Sequence, residues 1–313
     1  MKTRKVGTTD VELSEVSLGT WGLASDAYGR SDHKRAARVA TRALELGVTT
    51  FDTSPLWGDG VSEKVIGEVM AEHGRDEVQV IARAGARWND GALDLDTTKD
   101  ALRADFDRSL ERLQTERIDV WLLHEPKGEL WERDDWRELV DELKKDEKIG
   151  SWGASVSTPE GARLALEAGA DVLCMTYNIL ASDDLHDLAA DIAKAEASVI
   201  ARSPLMYGLL AGRWAEYRSF PRTDHRRDRW SAQALRARIR QVDKLRFLVH
   251  GEVASLAEAS LRYVLANSLV RCALVGARTP AQIESACAAS SDTQYLPDED
   301  LVKIPQVLAA TMA

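Results

Sequence analysis

The stretch Val48-Thr49-Thr50-Phe51-Asp52-Thr53-Ser54-Pro55-Leu56-Trp57-Gly58 decides the fold. A short β-branched and apolar run stops at an acid, and a Thr-Ser-Pro turn and an aromatic residue follow. A buried strand has no use for a terminal carboxylate, so this acid faces a pocket where the strand empties into a loop. The same grammar recurs along the chain. Residues 79–82 end in Arg83, 119–123 in His124, 150–154 in Ser155 and 198–201 in Arg202. Residues 16–18, 172–176 and 272–275 complete a set of eight apolar runs.

Helical patterns fill the intervals. Ser31-Asp32 caps a helix over 33–46 with Gly47 as its stop, and Ser62 opens another over 62–72. A loop of roughly eleven residues then leads to Asp96, before an amphipathic helix over 97–113. Further helices are predicted near 134–146, after Thr158-Pro159, near 185–195, 232–249 and 255–266, after Thr279-Pro280, and in the tail from Pro297. A long polar loop spans 206–230, and residues 1–15 form a hairpin that covers one end. Strand–helix alternation implies a parallel sheet, and eight units in ~250 residues or more close into a (β/α)8 TIM barrel. The class is α/β: one barrel domain over 1–313, with an N-terminal β-hairpin and a C-terminal helix. An open doubly wound sheet would want a Gly-rich turn after its first strand, which Gly19-Thr20-Trp21-Gly22 matches poorly.

Bulk composition narrows the function. The chain has 313 residues, 44% hydrophobic and 29% charged, with a formal net charge of −10. That charge argues against a nucleic-acid partner, because binding a phosphate backbone needs clustered cations. Cys174, Cys272 and Cys287 lie in apolar or Ala-rich runs without metal-like spacing, so reduced thiols and no metal site are expected. No apolar signal segment and no run of ~18 apolar residues is present, so the expectation is a cytoplasmic enzyme without a membrane partner. The oligomeric state is left open.

At this level of detail the chain resembles the aldo-keto reductase superfamily. The matching stretches are Leu18-Gly19-Thr20-Trp21-Gly22, Phe51-Asp52-Thr53-Ser54, Gly58-Asp59-Gly60-Val61-Ser62-Glu63, residues 118–124 ending in His124, Ser203-Pro204-Leu205 with Gly208-Leu209-Leu210, and Val275-Gly276-Ala277-Arg278. The resemblance implies a barrel that binds NADPH in an extended form and reduces a small carbonyl substrate. It also implies a catalytic Asp, Tyr, Lys and His. Asp52 and His124 fall at their positions, while Trp57 stands at the Tyr position and Arg83 at the Lys position. An indole N–H donates a hydrogen bond but does not release its proton near neutral pH, and a guanidinium likewise stays protonated. The tetrad Asp52, Trp57, Arg83 and His124 is therefore non-standard, with His124 as the expected proton donor, Arg83 stabilising negative charge and Asp52 holding Arg83.

For the cofactor, the resemblance places Arg278 and the helix start at Thr279-Pro280 on the 2′-phosphate, with Gln282 on the adenine. Ser203, Leu205, Gly208 and Leu210 fit the loop around the pyrophosphate, and Thr20, Trp21 and Gly276 line the same groove. At the nicotinamide end Ser155 is kept and Arg202 stands where many members carry an aromatic. Val156 and Cys174 replace the family's carboxamide ligands. The function expected is an aldo-keto reductase-like, NADPH-dependent oxidoreductase. The rival readings are a non-redox lyase, dehydratase or isomerase on the same barrel, and a catalytically silent NADPH-binding protein.

Overall fold

A computed structural model describes residues 1–290 and 294–309. Eight strands run parallel in a closed barrel: β3 (Val16–Gly19), β4 (Thr50–Asp52), β5 (Gln79–Ala84), β8 (Ile118–His124), β9 (Ile149–Ser155), β10 (Val172–Thr176), β11 (Ser198–Arg202) and β12 (Val270–Gly276). They neighbour one another in sequence order, and β12 closes the barrel by pairing with β3. Each apolar run became a barrel strand because its residues are buried on both faces, one toward the barrel axis and one toward the helices.

The antiparallel hairpin of β1 (Thr3–Lys5) and β2 (Glu12–Ser14) plugs the base. Val6, Val11 and Leu13 from this segment pack with Ile81, Val120, Leu122, Val172, Cys174, Ile200, Cys272 and Leu274 inside the barrel. With the base sealed by apolar side chains, only the carboxyl ends of the strands open outward. The larger core lies between barrel and helices, where Trp121, Trp136, Phe51 and Phe106 are fully buried. No helix among the described residues is long and apolar enough to cross a membrane.

Ser62, expected to open its helix, lies inside one that starts at Val61 after Gly60, but other helix starts carry side-chain caps. The side chains of Asp32, Thr98, Thr158 and Ser255 each accept a hydrogen bond from the backbone N–H three residues on. Four expectations need correction. The stretch between Arg83 and Asp96 is a second hairpin, β6 (Ala86–Asn89) and β7 (Ala92–Leu95), not a loop. Asp90 and Gly91 turn it, with φ of 48° and 80°, the left-handed pair that a tight hairpin demands. The helix expected over 232–249 stops at Asp243 and tightens into a 3₁₀ turn over Lys244–Leu248. The loop after β3 coils into a short helix, Trp21–Ala24, and the polar loop over 206–230 contains 3₁₀ turns at Met206–Ala211 and His225–Arg227.

Strand β9 approaches β10 so closely at Gly153 that an added Cβ would lie 1.9 Å from the Val172 carbonyl oxygen. Backbone cannot yield there as a flexible side chain would. Gly153→Ala is expected to lower stability by about 3 kcal/mol by overpacking, read as a lower urea midpoint. An unchanged midpoint would mean that these two strands part freely.

Candidate active site

Asp52 is the last residue of β4 and is buried, and Arg83 reaches it from the adjacent β5. Arg83 Nη1 donates to Asp52 Oδ1 and to the Thr53 carbonyl at 3.0 Å, while Nη2 meets Cys174 Sγ at 3.4 Å. The guanidinium carbon lies 4.9 Å from the centre of the Trp57 ring. The indole therefore takes the place beside the cation where the resemblance implies a phenol, and its contact is a cation–π contact. The contact depends on how the loop after β4 is held. Thr20 donates to the Asp52 carbonyl from both its N–H at 3.1 Å and its hydroxyl at 2.8 Å. Ser62 Oγ donates to the Ser54 carbonyl at 2.9 Å. Gly58 is required because φ is +65° and a Cβ would fall 2.2 Å from the Ala24 carbonyl oxygen.

His124 ends β8 and pairs in register with Ser155, the last residue of β9. Cys174 lies beside Ser155 in the next strand, so these side chains surround one mouth. Burial, with the charges of Arg83 and Arg202, lowers the His124 pKa to about 4. A ring shifted in this way is neutral near pH 7, which does not fit the expectation of an imidazole that takes up and releases its proton there. Burial pushes Asp52 up to about 6, with Arg83 and then Arg202 opposing it. Above that value the Asp52–Arg83 pair is charged. Nor does a tyrosine supply an acid near neutral pH: burial raises the phenol of Tyr28 to about 12 and that of Tyr177 also upward. The Cys174 thiol is likewise raised by burial, against a nucleophilic role.

Arg202 ends β11. Its Nη2 donates to the Val156 carbonyl at 2.9 Å and Ser157 Oγ at 2.7 Å, and lies 3.3 Å from Glu125 Oε1. Along the other lip, Arg278 turns its guanidinium onto the carbonyls of Tyr28, Gly29 and Arg30, the last two at 3.3 Å. Its Nε is buried without a partner. Gln282 Oε1 accepts from the Arg278 N–H at 2.6 Å, so it caps its own helix start. Gly276 faces open space. In the loop after β11, Ser203, Met206, Tyr207 and Gly208 all have positive φ, and the chain doubles back where Gly208 and Leu210 both donate to the Leu205 carbonyl. Leu210 itself is wholly buried among apolar side chains. Trp21 packs edge-on against Tyr28, Tyr207 and His225 at 5.4, 6.3 and 4.8 Å. These rings join the loop after β3 to the loop after β11, which sequence alone did not reveal. Glu125 and Ser157 were also missed, although both lie within two residues of predicted site positions.

A cavity of about 200 Å³ opens beside this mouth, lined by Pro55, Asp59, Arg87, Trp88, Asp105, Arg108 and Arg112. It touches the Asp52 loop at Pro55 but includes none of Asp52, Arg83 and His124. Trp88 of β6 fastens the second hairpin to that loop by donating to the Leu56 carbonyl at 2.8 Å.

The sequence profile of the Aldo/keto reductase family matches residues 15–309, and the chain belongs to that family. It is 27% identical to the aldo-keto reductase YhdN of Bacillus subtilis over 320 residues, covering 100% of this chain and 95% of that protein. It is 27% identical to the NADH-specific methylglyoxal reductase of Escherichia coli over 233 residues, 68% of this chain and 70% of that one. Among solved structures, the glycerol dehydrogenase AKR11B4 from Gluconobacter oxydans superposes with a TM-score of 0.88 at 26% identity, over 99% of this chain and 95% of that one. The holo form of the aldo-keto reductase AKR11C1 from Bacillus halodurans gives 0.81 at 25% identity, over 98% and 96%.

The His124 shift has a defined pH signature. An unfolded imidazole takes its proton near 6.5 and the folded one near 4. Between those values the unfolded chain binds more protons, so this group removes stability as pH falls through the window. Asp52, raised from 3.8 to about 6, acts in the opposite sense. His124→Gln is expected to gain on the order of 2–3 kcal/mol relative to the unaltered chain between pH 7 and pH 4, measured by urea unfolding at each pH. A pH-independent difference would mean that the ring titrates normally.

Proposed function

We propose that the chain is an NADPH-dependent oxidoreductase that acts on a carbonyl substrate at the mouth formed by Asp52, Trp57, Arg83 and His124. The observation that carries this reading is the direct contact of Asp52, Arg83 and Trp57 at strand ends next to the one that bears His124. NADPH, when bound, supplies the hydride.

The substrate oxygen lies within reach of the neutral His124 ring and the Trp57 N–H, both hydrogen-bond donors. Negative charge that grows on that oxygen is stabilised by the Arg83 guanidinium, which is held in place and needs no rearrangement. Asp52 fixes Arg83 and keeps the buried cation compensated. Since neither Trp57 nor Arg83 releases a proton near neutral pH, and His124 is uncharged there, the proton comes from solvent at the open mouth. The site works by charge stabilisation, and it forgoes the ~10²–10⁴-fold contribution of a positioned general acid.

Several features suit the nucleotide. The partnerless Nε of Arg278, the open space at Gly276 and the helix start at Pro280 fit an anion. Ser203, Leu205 and Gly208 offer a tightly turned backbone, with Thr20 and Trp21 opposite and Ser155 at the nicotinamide end; Arg202, expected there as well, instead engages Val156, Ser157 and Glu125 through one nitrogen. Leu210 would contribute through its backbone alone, and Gln282 by exchanging its cap for a new contact. One relative is named for NADH, so the preference for NADPH rests on Arg278.

Titration with NADPH and with NADP⁺, followed by the fluorescence of the nine tryptophans, is expected to give a micromolar response that Arg278→Ala abolishes. No response would sink the cofactor assignment. In a carbonyl panel, His124→Ala is expected to lower kcat/KM by roughly 10²–10³-fold. Trp57→Phe, which keeps a ring over Arg83, should cost less than about tenfold. Product formation without NADPH consumption would replace this reading with non-redox chemistry on the same barrel.

A further inference from the structure

We propose that Arg202 anchors a carboxylate on the substrate, so that the site takes a 2-oxo acid or another carbonyl compound with an anionic group next to the reacting carbon. The inference rests on the carbonyl reading above and names its substrate class.

The argument begins with where Arg202 reaches. In the barrel, β8, β9, β10 and β11 stand side by side in that order. Arg202 leaves the end of β11, yet its Nη2 contacts Val156 and Ser157, just past β9, and Glu125, just past β8. The side chain therefore spans the end of β10 and lies across the mouth. All three acceptors engage Nη2 alone. Among the described residues no hydrogen bond of Nη1 is formed, since all three contacts use Nη2, and Nε is buried without a partner. The side chain keeps 30% of its surface exposed, so Nη1, and not the buried Nε, is the donor open to a ligand. A guanidinium tethered by one nitrogen keeps charge-assisted donors for an anion, and carboxylates are its preferred partner.

Glu125 pairs with this cation through one oxygen and one nitrogen only. Its Oε1 is shared between Ser157 Oγ at 2.6 Å and the longer contact to Arg202 at 3.3 Å. Glu125 also holds a left-handed backbone, φ 44°, immediately after His124, and its N–H donates to the Ser155 carbonyl at 2.9 Å. A non-glycine residue in that conformation persists where the surroundings impose it. Glu125 and Ser157 are positioning residues: they hold Arg202 across the opening. The charge of Arg202 is felt at Asp52, at His124 and at Cys174, so it reaches the same space in which the reacting oxygen is placed. His124 Nδ1 is a further buried nitrogen without a partner.

Benzoylformate and its methyl ester present the same ketone with and without the charge. With NADPH, the acid is expected to show a kcat/KM about tenfold to a hundredfold above the ester, the range of one charge-assisted hydrogen-bonded contact. Arg202→Gln should reduce that preference by about tenfold or more, chiefly through the KM of the acid, and Arg202→Lys should restore part of it. Glu125→Gln should narrow the preference less, again in KM and not in kcat. An acid-to-ester ratio near one, or a ratio that Arg202→Gln leaves unchanged, overturns the proposal. So does an Arg202→Gln variant whose NADPH affinity, read by tryptophan fluorescence, falls by as much as its acid preference, since Arg202 would then serve the cofactor. If neither ketone is reduced, the carbonyl reading fails on its own. Benzoylformate binding to the protein alone, lost in Arg202→Gln, would still uphold the anion site, and no binding would end both.

Discussion

A carboxylate as enclosed as Asp52 keeps its charge only with a cation pressed against it, and Arg83 is that cation. Isolating either ion in the barrel would cost several kcal/mol of lost hydration, so the two side chains are obliged to meet. Once they do, little freedom is left at the mouth. The guanidinium is fixed by the Thr53 carbonyl and Cys174 on its edges and covered by Trp57 on one face. The loop that carries Trp57 then has a single path, over the Ala24 carbonyl at Gly58 and back to the helix start at Val61.

Trp57 and Arg83 make sense as a pair. A phenol next to an ammonium interacts through a hydrogen bond that tunes the phenol's acidity. An indole next to a guanidinium interacts through its π face, and neither group has a proton to give near neutral pH. Both exchanges push the site the same way, from proton transfer toward fixed positive charge. The environment of His124 continues that tendency, because burial beside two arginines favours the uncharged ring. A reading of the residues one at a time assigned His124 the proton. In the assembled site burial favours the uncharged ring, and its Nδ1 has no hydrogen-bond partner among the described residues.

The barrel was legible because its signal is repeated. Eight apolar runs, several ending in a polar residue, and helix caps such as Asp32 and Thr158 all point to the same architecture, and one misplaced boundary does not alter it. The Asp52–Arg83 contact was legible for the same reason, since adjacent strand ends in a closed parallel barrel must be neighbours. The hairpin over 86–95 was missed even though Asp90-Gly91 is a strong turn signal, because Arg87, Asn89 and Asp94 made the flanks look like polar loop. What sequence could not show were contacts between segments far apart in the chain. The grip of Arg278 on residues 28–30, the reach of Arg202 to Glu125 and the edge-on packing of Trp21 against Tyr207 and His225 depend on which loops share a rim. No local pattern encodes that.

The grip of Arg278 has a consequence for how tightly any anion can be held there. Its guanidinium already has three carbonyl acceptors in the 28–30 segment, so an incoming phosphate competes with the protein's own backbone. An affinity at this place would be a difference between two sets of hydrogen bonds, and weaker than the new contacts alone would give. Backbone carbonyls cannot be removed by substitution, which makes this internal competitor durable: side-chain changes in residues 28–30 alter the segment's stiffness, and through it the occupancy of the rim, without touching the arginine.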